Sequence, residues 1–144
     1  MADNPALEAI DLKTGMTLTG MKVFIGHHFE EFVNRQNLDM ADINFAPGFV
    51  DHGADVPPGL PPGPAGARQY LAGAFKRFPD IRVTIEDMIA EGDKVVVRNR
   101  WTGTDSTSTQ RIEFSGIVIW RIANNQIHER WAYLQAPQPA ASNG

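Results

Sequence analysis

The chain has 144 residues, 42% of them hydrophobic and 21% charged, the size and balance of one globular domain with a real core. Thirteen Lys and Arg against 17 Asp and Glu leave a net charge of −4, so the basic surface that nucleic-acid binding needs is missing. There is no cysteine, which excludes disulfides, thiolate nucleophiles and cysteine-based zinc sites, and no apolar run approaches the roughly 20 residues of a membrane span.

Residues 1–16 are weakly patterned and read as a loose N-terminal arm. Met1-Ala2-Asp3-Asn4-Pro5 carries no basic cluster followed by an apolar run, so no secretory signal is visible and a cytoplasmic location is expected. A helix is expected from Thr17 or Thr19, because Met21, Ile25, Phe29, Phe32 and Val33 recur on one helical face. Asn34 to Asn37 ends it, and Leu38–Ile43 reads as a short second helix. From Ala46 to Gly66 prolines and glycines break all periodicity, and a loop this long inside a domain reads as the rim of a site. A third helix follows, with Leu71, Ala74, Phe75 and Phe78 on one face and Pro79 as its stop.

From there the period changes to two. Ile81, Val83 and Ile85 alternate with polar residues, Gly92-Asp93 turns the chain into Val95–Trp101, and Gly103–Thr109 is a polar hairpin loop. Arg111–Ile122 is a long strand, Asn124-Asn125 a tight turn, and Ile127–Tyr133 the last strand. The domain is therefore placed at residues 17–136, with 137–144 expected to be a disordered tail. Helices first and a meander afterwards define an α+β class: a curved antiparallel sheet wrapped around about three helices, cone-shaped, with an internal pocket.

The order of motifs is also distinctive. Phe45-Ala46-Pro47-Gly48-Phe49-Val50-Asp51-His52 precedes the Gly/Pro loop, and Phe78-Pro79-Asp80 ends the third helix. Then come Thr84-Ile85-Glu86-Asp87, Glu91-Gly92-Asp93-Lys94-Val95, Gly103-Thr104, Gly116-Ile117, Trp120-Arg121-Ile122 and Ile127-His128-Glu129-Arg130-Trp131. Over residues 18–136 this resembles the SnoaL-like polyketide cyclases, whose cone-shaped fold is shared with nuclear transport factor two, scytalone dehydratase and steroid delta-isomerase. The resemblance implies a pocket inside the cone, cofactor-independent chemistry on polyketides, and association through the sheet, so a homodimer is expected. It also implies a carboxylate on the last strand as acid and base. Here the matching positions are Ala132 and Gln135, and position 105, often histidine in the family, is Asp105. The fold carries over; the cyclase mechanism does not carry over intact.

Several residues are candidates for the missing chemistry. Asp51 and His52 stand at the start of the rim loop, where a histidine beside a carboxylate could act as general base or could simply anchor the loop. Arg98 and Arg100 share one strand face and could bind an enolate oxygen, or could be a solvated outer face; the resemblance favours Arg98. Trp120 and Trp131 could form an aromatic wall for a flat ligand, with Trp120, Arg130 and Ala132 on the pocket face by the family pattern. Phe78 and Asp80 complete the substrate-binding candidates, although turn duty is the commoner fate of an Asp after Pro. His27 and His28 are adjacent on a helix and cannot both face the core, so no metal site is expected; nor is a cofactor.

Three functions remain open on this basis. The first is a cofactor-free cyclase, isomerase or lyase acting by proton transfer on a polyketide-like carbonyl compound, with His52 as base assisted by Asp51. The second is a non-catalytic module binding a small apolar or aromatic metabolite. The third is a dimerising scaffold, since fold alone does not decide among functions.

Overall fold

The computed structural model describes residues 8–141, so the ends of the expected arm and tail, 1–7 and 142–144, lie outside the described residues. Helix α1, Leu18–His28, starts where the Thr17 hydroxyl accepts the Gly20 N–H at 2.9 Å, an N-cap in the ordinary sense. The helix then widens into a π-helical turn, Phe29–Asn34, instead of continuing as one regular helix. Its wider bore turns Phe29, Phe32 and Val33 inward together, beside the buried His28. Helix α2 is short, Met40–Asn44, and runs straight into strand β1, Phe45–Asp51.

Strand β1 was not expected from the sequence. Pro47 cannot donate to a ladder, but β1 is an edge strand, and its register slips between Phe45 and Val50, where Pro47 and Gly48 are exposed. Helix α3, Gly63–Arg77, carries proline in its first turn and ends against Phe78, whose N–H reaches the Ala74 carbonyl. Strands β2 (Arg82–Glu91), β3 (Lys94–Thr104), β4 (Arg111–Ala123) and β5 (Gln126–Leu134) then form the expected meander. The sheet order is β1-β5-β4-β3-β2, and β1 runs parallel to β5, so the sheet is mixed where an antiparallel one was expected. The α+β class and the cone stand.

Alternation decides what faces the cone. On β3, Val95, Val97, Asn99 and Trp101 are buried, while Lys94 and Arg98 are exposed. On β4 and β5 the inner face carries Val118, Trp120, Arg130 and Ala132. A register shift between Arg121 and Ile122, opposite Glu129 and Ile127, resets the parity of β5.

Both terminal stretches are more tied down than expected. The Asp11 carboxylate accepts from the Lys13 and Thr14 backbone, and residues 13–14 hydrogen-bond the left-handed Asn124-Asn125 turn. At the other end Gln138–Pro139 forms a two-residue strand, β6, pairing with β4 beyond the point where β5 leaves it. Among the described residues no helix is long and apolar enough to cross a membrane.

The rim loop depends on one small residue. A Cβ on Gly66 would collide with the Pro61 carbonyl, so only glycine lets the loop lie against the start of α3. Gly66→Ala is expected to cost about 1–3 kcal/mol in chemical denaturation, because the loop must move to accommodate the methyl. Unchanged stability would mean that the loop packs elsewhere.

Candidate functional site

A cavity of about 590 Å³ occupies the inside of the cone. Its walls are aromatic: Phe29 and Phe32 from the π-helical turn, Phe45 and Phe49 from β1, and Trp101, Phe114 and Trp120 from the sheet. These rings pack on one another edge to face or stacked, Phe45 on Phe49 at 4.4 Å and Trp101 on Phe114 at 5.7 Å between centroids. The loop residues Ala54, Asp55 and Pro57 and the C-terminal Gln135 to Pro137 border it.

One corner of this apolar space is polar. The parallel register sets Asp51 at the end of β1 directly opposite Arg130 on β5, and the His52 N–H to Arg130 carbonyl bond at 2.8 Å locks that register. Arg130 Nη1 donates to Asp51 Oδ1 and Oδ2 at 3.0 and 3.1 Å. It also reaches Asp55 Oδ1 at 3.3 Å, while Nη2 donates to Asp55 Oδ2 at 3.0 Å. From α3 the Tyr70 hydroxyl donates to the same Asp55 oxygen. The guanidinium also lies over the Tyr70 and Trp120 rings, 5.4 and 5.9 Å from their centroids.

The charges in this corner are fixed by one another. Burial works against the Arg130 charge, but Tyr70, Asp51 and Asp55 around it hold the guanidinium firmly protonated. Burial would raise the Asp55 carboxyl; Arg130 outweighs it and holds that carboxyl below the usual value. Burial and the adjacent Asp55 charge push the Tyr70 hydroxyl well above the ordinary tyrosine range, so it stays a donor.

The two carboxylates are not equivalent. Asp55 Oδ2 accepts from both Arg130 and Tyr70, so that oxygen is doubly occupied. Asp51 Oδ1 accepts from the Gly53 N–H and Arg130, whereas Asp51 Oδ2 accepts from Arg130 alone. Asp51 Oδ2 therefore keeps a lone pair directed away from its partners. Asp55 Oδ1 likewise accepts from Arg130 alone, at 3.3 Å.

Asp51, Phe78, Trp120 and Arg130, singled out from the sequence, all stand on the cavity wall. Four others do not. His52 follows Asp51 on an extended chain and so points to the opposite side; its Nε2 pairs with Glu129 Oε2 at 2.7 Å and its ring stacks on Trp131 at 5.1 Å. It borders a separate hollow of about 400 Å³ between β1, the rim loop and the start of α3. Trp131 shares the outer parity of Glu129. Arg98 lies on the outer face too, 3.9 Å from Glu86. Asp80 is a turn residue at the surface, accepting from the Thr104 N–H and hydroxyl and from Arg111.

Asp55, Tyr70 and His28 are the wall residues that the sequence reading did not select. Asp55 sits in a loop without periodicity, and Tyr70 flanks the α3 face marked by Leu71 and Ala74. Among the described residues no three histidine or carboxylate side chains converge in a way that would hold a metal ion.

The family model for SnoaL-like polyketide cyclases matches residues 25–139. No curated protein sequence matches the chain significantly. Among solved structures, wild-type IdmH of Streptomyces antibioticus, named as a candidate polyketide cyclase, is 25% identical, covers 79% of this chain and 91% of its own, and superposes with a TM-score of 0.68. A candidate polyketide cyclase from Bacillus cereus ATCC 10987 is also 25% identical, over 89% and 85% of the two chains, with a TM-score of 0.69. A SnoaL-like protein from Jannaschia sp. CCS1, 22% identical over 94% and 91%, gives 0.73 and supports the fold alone.

Removing Arg130 tests whether it holds the cluster. Asp55 has a depressed folded-state value, so its stabilising contribution is present above the ordinary 3.8 and is lost as pH falls through the folded value. Arg130→Met leaves that carboxylate buried and unpaired, at a cost of about 3–5 kcal/mol at neutral pH. In the variant the sign reverses, because a desolvated, unpaired carboxyl binds its proton more tightly folded than unfolded, and stability rises on acidification. Denaturation curves at pH 7, pH 4 and pH 2.5 measure both slopes. The same acid slope in both proteins would contradict the assignment.

Proposed function

The chain belongs to the SnoaL-like polyketide cyclase family, and on that premise we propose that its cavity binds a polyketide-like carbonyl compound and moves a proton on it, with Asp51 as the base. The observation that carries this reading is the free lone pair of Asp51 Oδ2 at the edge of an aromatic cavity, on a carboxylate anchored by buried Arg130. A volume of about 590 Å³ is within the range of sites for small organic ligands.

The chemistry follows from the arrangement. Asp51 Oδ2 takes a proton from a carbon next to a carbonyl, and the C–H electron pair moves into the enolate. The enolate carbon then attacks a second carbonyl of the same molecule, whose oxygen takes the bond's electron pair and then the proton from Asp51, giving a cyclase, or takes the proton back at another position, giving an isomerase. A carboxylate is a modest base, so the reading fits carbon acids activated by an aromatic ring or a second carbonyl. Apolar walls exclude water and strengthen every charge interaction at the site. Arg130 orients Asp51 through two hydrogen bonds, and Asp55 with Tyr70 orients Arg130 in turn. His52, first considered as the base, has no part in this step because it lies on the far side of β1. The reaction calls on no cofactor.

A second reading, binding without turnover, has its own observation. The strand position at which the family resemblance puts the acid/base is the buried Ala132, and Gln135 on the cavity border cannot take its place.

Deuterium uptake from heavy water at the activated carbon of an aromatic ketone, 2-tetralone, separates the two. The wild type should accelerate uptake, and Asp51→Asn should lower that acceleration by about 10²-fold while still binding the ketone. Uptake at the wild-type rate in Asp51→Asn would place the base elsewhere. A wild type that binds the ketone without accelerating uptake would favour the binding module.

A further inference from the structure

His28 is buried to 1% exposure at the end of α1, yet its ring lines the cavity. The proton-transfer step above makes no use of it. Its surroundings fix both its charge and its tautomer. Asn44 Nδ2 donates to His28 Nδ1 at 2.8 Å, so Nδ1 is an acceptor and the ring hydrogen resides on Nε2. Phe32 stacks on the ring at 5.0 Å, and Phe45 and Trp120 meet it edge-on at 5.1 and 5.4 Å. Burial above all, with Arg130 and His27 adding repulsion, lowers its pKa to about 3, so the imidazole is neutral at any working pH.

A neutral imidazole with Nδ1 occupied has one group left to offer, the Nε2–H. Among the described residues no protein atom accepts that hydrogen. Close by, the buried Trp120 Nε1 has no hydrogen-bond partner among the described residues. Buried donors left unpaired are costly unless something accepts from them. The carboxylates Asp51 and Asp55 are gathered on Arg130, and both that corner and His28 lie against the Trp120 ring, 5.9 and 5.4 Å from its centroid. A donor and a carboxylate base facing one cavity select a ligand with an acceptor oxygen beside an acidic C–H.

We infer that His28 is a substrate-binding catalytic residue whose Nε2–H donates to the carbonyl oxygen of the ligand and stabilises the enolate oxygen formed when Asp51 takes the proton. Asn44 is its positioning residue, holding the tautomer. This rests on the reading of the cavity as a carbonyl site and names the group that recognises the carbonyl. A neutral donor suits the step, because the enolate gains a hydrogen bond without a proton being lost to it.

The test compares 2-tetralone with tetralin, the hydrocarbon that lacks the oxygen, by tryptophan fluorescence titration. His28→Phe should weaken 2-tetralone about tenfold and leave tetralin unchanged, while His28→Gln, which keeps an N–H, should restore most of the preference. Equal weakening of both probes would reduce His28 to a packing residue, and an unchanged preference, or binding of neither probe by the wild type, would overturn the assignment. Should His28→Phe fail to fold, nitrogen-15 NMR of the wild type decides. The His28 Nε2–H resonance must shift on adding 2-tetralone and not on adding tetralin, and a signal indifferent to the ketone refutes the proposal. The base assignment fails separately: loss of the ketone preference in His28→Phe together with full deuterium uptake in Asp51→Asn keeps the carbonyl site and removes Asp51 from the step.

Discussion

Everything at the site hangs on one buried cation. Arg130 is 6% exposed in the wall of an aromatic cavity, where an unpaired guanidinium could not be kept. It is matched from three parts of the chain at once: Asp51 from an edge strand, Asp55 from the rim loop, and Tyr70 from α3 through Asp55. Those contacts are what tie the loop and the third helix to the sheet at this corner. The same contacts shape the chemistry, because they leave one oxygen of each carboxylate with Arg130 as its single donor. A stabilising cluster and a poised base are here the same set of hydrogen bonds.

The His28 side of the cavity has a different origin. The π-helical turn after α1 brings Phe29, Phe32 and Val33 inward together and leaves His28 walled by rings, with Asn44 hydrogen-bonded to its Nδ1. The apolar surroundings remove its charge, and the Asn44 bond removes the tautomeric choice. What remains is a fixed dipole in the same apolar chamber as the Arg130 corner, both against the Trp120 ring. A flat molecule bridging them is held with its carbonyl and its acidic carbon in defined places, which is the geometry that enolisation requires.

Much of this fold can be read from periodicity. The α1 face of Met21, Ile25 and Phe29, the stop at Pro79, the alternation on β3 and the Asn124-Asn125 turn all stand where spacing puts them, because each is a local property. Strand β1 is different: Pro47 and Gly48 hide it, and nothing local announces that it pairs in parallel with β5. That pairing places Asp51 against Arg130 and, by alternation, turns His52 outward, so choosing between two adjacent candidates required a long-range register. Asp55 was out of reach for the same reason, since loop residues carry no period. Arg98 and Trp131 fell to the outer face, where strand parity puts them once the register is known. His28 was set aside as half of an adjacent pair, and only its burial beside Asn44 shows what one of the two can do.

The most direct test of the account is a crystal structure of the protein with 2-tetralone bound. The account requires the ketone inside the cone with its activated carbon within about 3–3.5 Å of Asp51 Oδ2, and its body between the Arg130 corner and His28. A ketone seated in the smaller hollow beside His52, or lying in the cavity with its activated carbon turned away from Asp51, would contradict it.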